Sequence, residues 1–346
     1  MTAMNRISIL RRLAIAGVLL GLCVVVFGAY VRLTYAGLGC PDWPGCYGHV
    51  TPLGAQAANA GTPDAPLEVG KAWREMIHRY AASTLGLIIV TIAGLSLAWR
   101  REPRVPRRLP WALVGLVVFQ GILGMLTVTW KVKPIIVTSH LAFGLLTVAV
   151  LWWLWLSLRE PKPALPPSPT LTASRLTIAR SVALLGLVAL VVQILLGGWT
   201  STNYAAIACP DLPTCQAQWW PEADFHDGFV LWRGLGVNYE GGVLDLPARV
   251  AIHFTHRLGA IVATLALLFA AVTVLRVGAG RASRLAARGV LAALALQLTL
   301  GIVMVLHAFP LGLATAHNAG AAVLLLATLL LNWTLRGASF HGEAVR

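Results

Sequence analysis

The chain has 346 residues, of which 58% are hydrophobic and only 12% charged, with a mean hydropathy of +0.75. Soluble domains carry about 25% charged residues, so a water-soluble fold is excluded as the first reading. The formal net charge of +14 lies in short strips between apolar runs, which argues against a nucleic-acid partner and for arginines at the ends of membrane spans.

Backbone N–H and C=O groups in hydrocarbon must pair internally, and these apolar runs do not alternate, so they read as helices. The fold class is all-α: a polytopic membrane protein of eight transmembrane helices, at about 13–31, 76–99, 110–130, 136–157, 181–200, 251–275, 289–308 and 314–334. Met1–Arg12 is basic, but the run after it has no small-residue cleavage site, so it reads as a retained first span. One side of the membrane receives arginine clusters such as Arg11 and Arg12, Arg100 to Arg108, Arg175 and Arg180, and Arg276 to Arg288. The other side holds most of the acids. The positive-inside rule therefore places both termini in the cytoplasm, and the even number of spans agrees. Two extracytoplasmic loops are long, roughly 32–75 and 201–250, and the second carries Trp219, Trp220 and Trp232 at expected headgroup level. A proline-rich cytoplasmic linker at 160–175 separates an N-terminal unit, 1–159, from a C-terminal unit, 176–346.

Cutting at that linker exposes a duplication. Cys40-Pro-Asp-Trp-Pro-Gly-Cys46 matches Cys209-Pro-Asp-Leu-Pro-Thr-Cys215, and His78-Arg79 matches His256-Arg257. Gln120 and Gly124 match Gln297 and Gly301, and His140 matches His317. Both units start on the same side, so the repeat is parallel and predicts two four-helix bundles related by an axis along the membrane normal.

The repeat sets His78, His140, His256 and His317 at the extracytoplasmic starts of the even-numbered spans. Within each unit two imidazoles then share a depth on neighbouring helices, which suits axial ligation of heme iron from both faces of the ring. The competing reading is an interhelical hydrogen bond from each histidine; two repeat-related pairs of costly intramembrane polar groups favour function. A zinc site would want a further ligand, which only Glu75 could offer. Glu75 lies on the face of His78, whereas the second unit has His253 there. A carboxylate beside a heme pocket can act as general acid or base, or can merely complement a helix dipole. Arg79, Arg257 and Arg32 read either as interface anchors or as partners for heme propionates.

Four of the five cysteines form two CxxxxxC pairs in the extracytoplasmic loops, where an oxidising compartment permits Cys40–Cys46 and Cys209–Cys215 disulfides. Each bridge reads as a loop staple or as a redox-active pair; neither is the CxxCH of covalent heme attachment. Cys23, inside the first span, reads as a packing residue.

Taken together, Glu75-Met-Ile-His78-Arg79, His140, His256-Arg257, His317 and the two cysteine loops resemble the heme A synthase family over essentially the whole chain. The resemblance implies an oxidoreductase that converts the C8 methyl group of heme O, its substrate, to the formyl group of heme A for cytochrome oxidase. It implies one heme b in the C-terminal unit on His256 and His317, and substrate heme in the N-terminal unit near His78 and His140, with Glu75 catalytic. The partners implied are heme O synthase, cytochrome oxidase assembly factors and an unidentified electron acceptor, in a bacterial cytoplasmic (inner) membrane. The alternatives are a di-heme b-type membrane electron-transfer protein, which would keep its activity without Glu75, and a transporter, for which helix breaks at equivalent midspan positions are lacking.

Overall fold

The computed structural model describes residues 3–62, 66–159 and 172–336. Eight long helices dominate it: α1 (Ala3–Leu33), α2 (Val69–Ala98), α3 (Arg108–Thr129), α4 (Pro134–Ser157), α5 (Ala173–Thr202), α6 (Leu246–Val277), α7 (Arg281–Leu306) and α8 (Leu311–Arg336). Each is long and apolar enough to cross a membrane, and no strand occurs among the described residues. The chain is a multi-pass membrane protein.

Most helices overrun their predicted spans, because hydropathy marks the apolar stretch and not the hydrogen-bonded ends. At the loop end α6 starts at Leu246, behind an extended Asp245 and with Pro247 in its first turn, where a missing N–H leaves no partner wanting. It stops where Gly278 takes φ 75, the left-handed cap that glycine adopts freely. The predicted linker lies outside the described residues apart from 172–175, where the Thr172 hydroxyl caps α5 by accepting from Arg175 N–H.

α1 and α3 each pack on α2 and α4, and α5 and α7 each pack on α6 and α8. The two sets meet where α1 lies on α8 and α4 lies on α5 and α8. Large aliphatics such as Leu10, Ile89, Leu113 and Leu151 fill the first core, whereas Ala179, Ala183, Ala271 and Ala287 let helices of the second approach closely. Polar ties cross the seam: Trp152 Nε1 donates to the Leu326 carbonyl at 3.1 Å, and the Thr138 and Thr202 hydroxyls lie 3.1 Å apart. Leu19, Leu87, Leu185 and Phe269 point outward, as lipid-facing residues do. Cys23 corrects the sequence reading. It is exposed on the outer face of α1, so it is no packing residue.

Candidate functional site

At one end of the bundle the segments 34–62 and 203–245 form two elaborate loops. Each contains a closed disulfide, Cys40–Cys46 and Cys209–Cys215. An aspartate organises each hairpin. Asp42 accepts from the N–H groups of Tyr47 (2.6 Å) and Gly48 (2.8 Å), and Asp211 from those of Gln216 (2.8 Å) and Ala217 (3.0 Å). Partial burial pushes the Asp211 carboxyl up, but its hydrogen bonds from Thr214 and the backbone outweigh this and hold it below its ordinary value.

From the helices below, one arginine reaches up into each hairpin. Arg79 donates to the carbonyls of Asp42 (2.9 Å), Pro44 (3.2 Å) and Gly45. Arg257 donates to those of Asp211 (2.8 Å), Thr214 (2.7 Å) and Cys209 (2.7 Å). A guanidinium presents several donors in a fixed fork, which suits gathering carbonyls from a tight turn. Beside each arginine the halves diverge. Glu75, only 4% exposed, pairs with Arg79 at 2.5 Å and accepts from the Cys40 N–H at 2.8 Å. In its place His253, equally buried, accepts at Nε2 from Arg257 Nε–H (3.3 Å) and meets the Phe309 ring edge-on.

The four predicted histidines fall into two pairs by position: His78 and His140 line one cavity, and His256 and His317 hold the repeat-equivalent places. A glycine faces every ring. A Cβ on Gly28 would sit 2.8 Å from His78 Cε1, and on Gly197 3.0 Å from His256 Cε1. On Gly124 it would lie 3.5 Å from His140, and on Gly301 3.1 Å from His317. Nδ1 of His78, His140, His253 and His317 is buried with no hydrogen-bond partner. His256 differs, its Nδ1 lying 3.0 Å from Gln193 Nε2, while Gln297 Nε2 lies 3.2 Å from His317 Nε2. Among the described residues no three His, Cys, Asp or Glu side chains converge on a bare metal ion. Paired imidazoles, each backed by a glycine, suit a flat macrocycle rather than a bare ion.

A cavity of about 690 Å³ surrounds the first pair and is lined by Glu75, His78, Arg79, Gln120 and His140. The second half completes its wall with Ser201, Tyr204, Glu240 and Asn318. Arg32 also lines it, donating to the Ser201 carbonyl with its guanidinium 4.2 Å above the Tyr204 ring. Burial raises the Glu240 carboxyl above its usual range, opposed by Lys71 and Arg32. Outside the cavity, buried Lys133 at the head of α4 donates to the Gly234 carbonyl (2.8 Å) and lies 3.3 Å from the Trp232 ring, clasping the second loop to the first half. All three loop tryptophans remain largely exposed, although Trp220 also meets the Phe254 ring edge-on.

Sequence reasoning missed Gln193, Gly28, Gly197 and Lys133. A lone amide inside an apolar span was the available signal for Gln193. Gly28 and Gly197 stand at matching distances before Cys40 and Cys209, so the repeat itself pointed to them.

These features define an integral membrane protein whose first half encloses a large chamber walled by two imidazoles and a buried carboxylate, with a second imidazole pair alongside. The chain belongs to the COX15-CtaA family of cytochrome oxidase assembly proteins, which it matches over residues 11–329. It is 43% identical over 320 residues to the heme A synthase of Shewanella oneidensis, covering 91% of this chain and 93% of that one. It is 30% identical over 346 residues to the heme A synthase of Caulobacter vibrioides, covering 90% and 92% of the two chains. Against that of Paracoccus denitrificans the figures are 30% over 332 residues, 87% and 81%.

Proposed function

We propose that this chain is a heme A synthase that takes heme O into the first-half chamber and oxidises its C8 methyl group to a formyl group. One observation carries the reading: two glycine-backed imidazoles and one buried carboxylate share a single chamber of macrocycle size. His78 and His140 hold the substrate's iron, which fixes the ring's height and tilt. Glu75 accepts the proton released as the methyl carbon is oxidised, or steadies positive charge developing there. The Cys40 N–H and Arg79 aim that carboxylate, and the hairpin that Arg79 gathers roofs the chamber and excludes water. Arg32 at the rim, with Arg79 and Arg257 beneath the hairpins, supplies positive charge for propionates.

The second pair, His256 and His317, holds one resident heme b. When bound, that heme supplies one-electron redox chemistry linking the reaction to an electron acceptor still to be identified. The halves, 1–159 and 176–346, act as a substrate unit and a heme b unit related by a parallel repeat. Both termini lie on the cytoplasmic side of a bacterial inner membrane, where the arginine strips belong. Heme O synthase and cytochrome oxidase assembly factors are its expected neighbours.

The test is chromatography of extracted porphyrins after production beside a heme O source. Formyl heme appears with the native chain and disappears with Glu75→Ala while b heme stays. Stoichiometric b heme without formyl product from the native chain would sink the reading and favour a di-heme electron carrier.

A further inference from the structure

The chamber is not sealed from the bilayer. Several of its lining residues are at the same time on the outer surface of the bundle: Ser83 on α2 is exposed, and so is Val118 on α3, at 59%. Both residues border the chamber and the outer surface at once, which places the chamber against the lipid-facing edge where α2 and α3 meet. Tyr80, tied by its hydroxyl to the Val50 carbonyl, marks the upper edge. At the lower edge Gly86 faces Val117, whose Cγ2 would lie 3.7 Å from a Cβ there. Tyr80 to Gly86 is roughly 9 Å along the helix at about 1.5 Å per residue. Between these edges Gly121 lines the gap, and a Cβ there would meet no atom within 4 Å. Glycine is among the poorest helix formers, and neither crowding nor backbone angle calls for it here.

The second half carries bulkier residues at the same positions. Counting from the equivalent histidine and glutamine, Ile261 stands where Ser83 does, Thr264 where Gly86 does and Leu298 where Gly121 does. Leu298 packs against the core of its own half. His78 and His140 line the chamber behind this edge, so the imidazole pair lies directly inside it.

We propose that the gap between α2 and α3 is a lateral portal in which the isoprenoid tail of the substrate lies, its porphyrin inside the chamber and its tail reaching the lipid. This rests on the reading of the chamber as the heme O site. It assigns the portal a specificity role: a macrocycle with an apolar tail is held, and one without it loses that contact.

The experiment titrates heme O, and heme B as its tail-less counterpart, into the full chain in lipid nanodiscs after loading with resident heme, following the Soret band. Gly121→Leu, which installs the second half's residue, should weaken heme O binding by about tenfold or more, as an occupied apolar slot does, and heme B binding by less than about twofold. Gly121→Ala should keep the preference for heme O. Equal weakening of both hemes, or of neither, overturns the portal. Independently of any substitution, an isoprenoid-diazirine analogue of the substrate should label peptides spanning 80–87 and 117–124 of the native chain; labelling confined elsewhere overturns it too. The readings separate cleanly. Tail-dependent binding without formyl product breaks the enzyme assignment and leaves the portal standing, whereas formyl product with labelling elsewhere breaks only the portal.

Discussion

Glu75 and His253 occupy the same place in two otherwise matching frameworks. Above each lies a disulfide hairpin ordered by an aspartate, and beside each lies an arginine that gathers hairpin carbonyls. Below each, a pair of imidazoles faces glycines. Against this shared background, a carboxylate is exchanged for an imidazole, and Gly121 for Leu298, which packs on the core of its half. The two halves thus share a framework and differ in the few side chains beside the imidazoles; on the proposed reading, the first half adds a carboxylate base and a way in for a lipophilic heme.

The largest effect that could break this contrast is at the exchanged position itself. Glu75→Ala should lower formyl heme yield by about 100-fold or more, the span of a lost general acid or base, while His253→Ala leaves product forming. Porphyrin chromatography of both variants decides it, and comparable losses would erase the distinction between halves. Next come the imidazole pairs. His256→Ala and His317→Ala should each lose most b heme by pyridine hemochrome, whereas His78→Ala should keep b heme and lose product; equal b heme loss in all three would reverse the assignment.

A smaller effect separates the arginines from one another. Arg257→Lys leaves carbonyls of Asp211, Thr214 and Cys209 short of donors and should destabilise the protein by about 1–3 kcal/mol, read as a lower thermal midpoint in detergent. Arg79→Lys should have a similar effect on stability but also reduce product, because it releases Glu75. The smallest effect concerns acid. Asp211 has its carboxyl lowered by the fold, so its contribution is present above its unfolded value and fades as pH falls through the lower folded one. Hydrogen exchange of the 209–218 hairpin should accelerate below about pH 4, and Asp211→Asn should remove that pH dependence.

Much of this was legible beforehand for a physical reason. An apolar span of about twenty residues and a rare polar residue within it are both costly arrangements, so the helices, the four histidines, Glu75 and the cysteine pairs stood out. What stayed hidden is what depends on direction. Hydropathy does not say that Arg79 and Arg257 turn upward to the hairpins, that Cys23 faces out, or that Lys133 folds beneath Trp232. Helix ends were missed for the same cause, since Val69 and Leu246 start helices in segments too polar to read as membrane.

The clasp at Lys133, and the wall that Ser201, Tyr204 and Glu240 lend to the chamber, bear on the order of events during biosynthesis. Ribosomes deliver the first four helices before the second loop exists, so a nascent chain presents its imidazoles in an unfinished vessel. The chamber's wall is thus complete only once the last third of the chain has been translated.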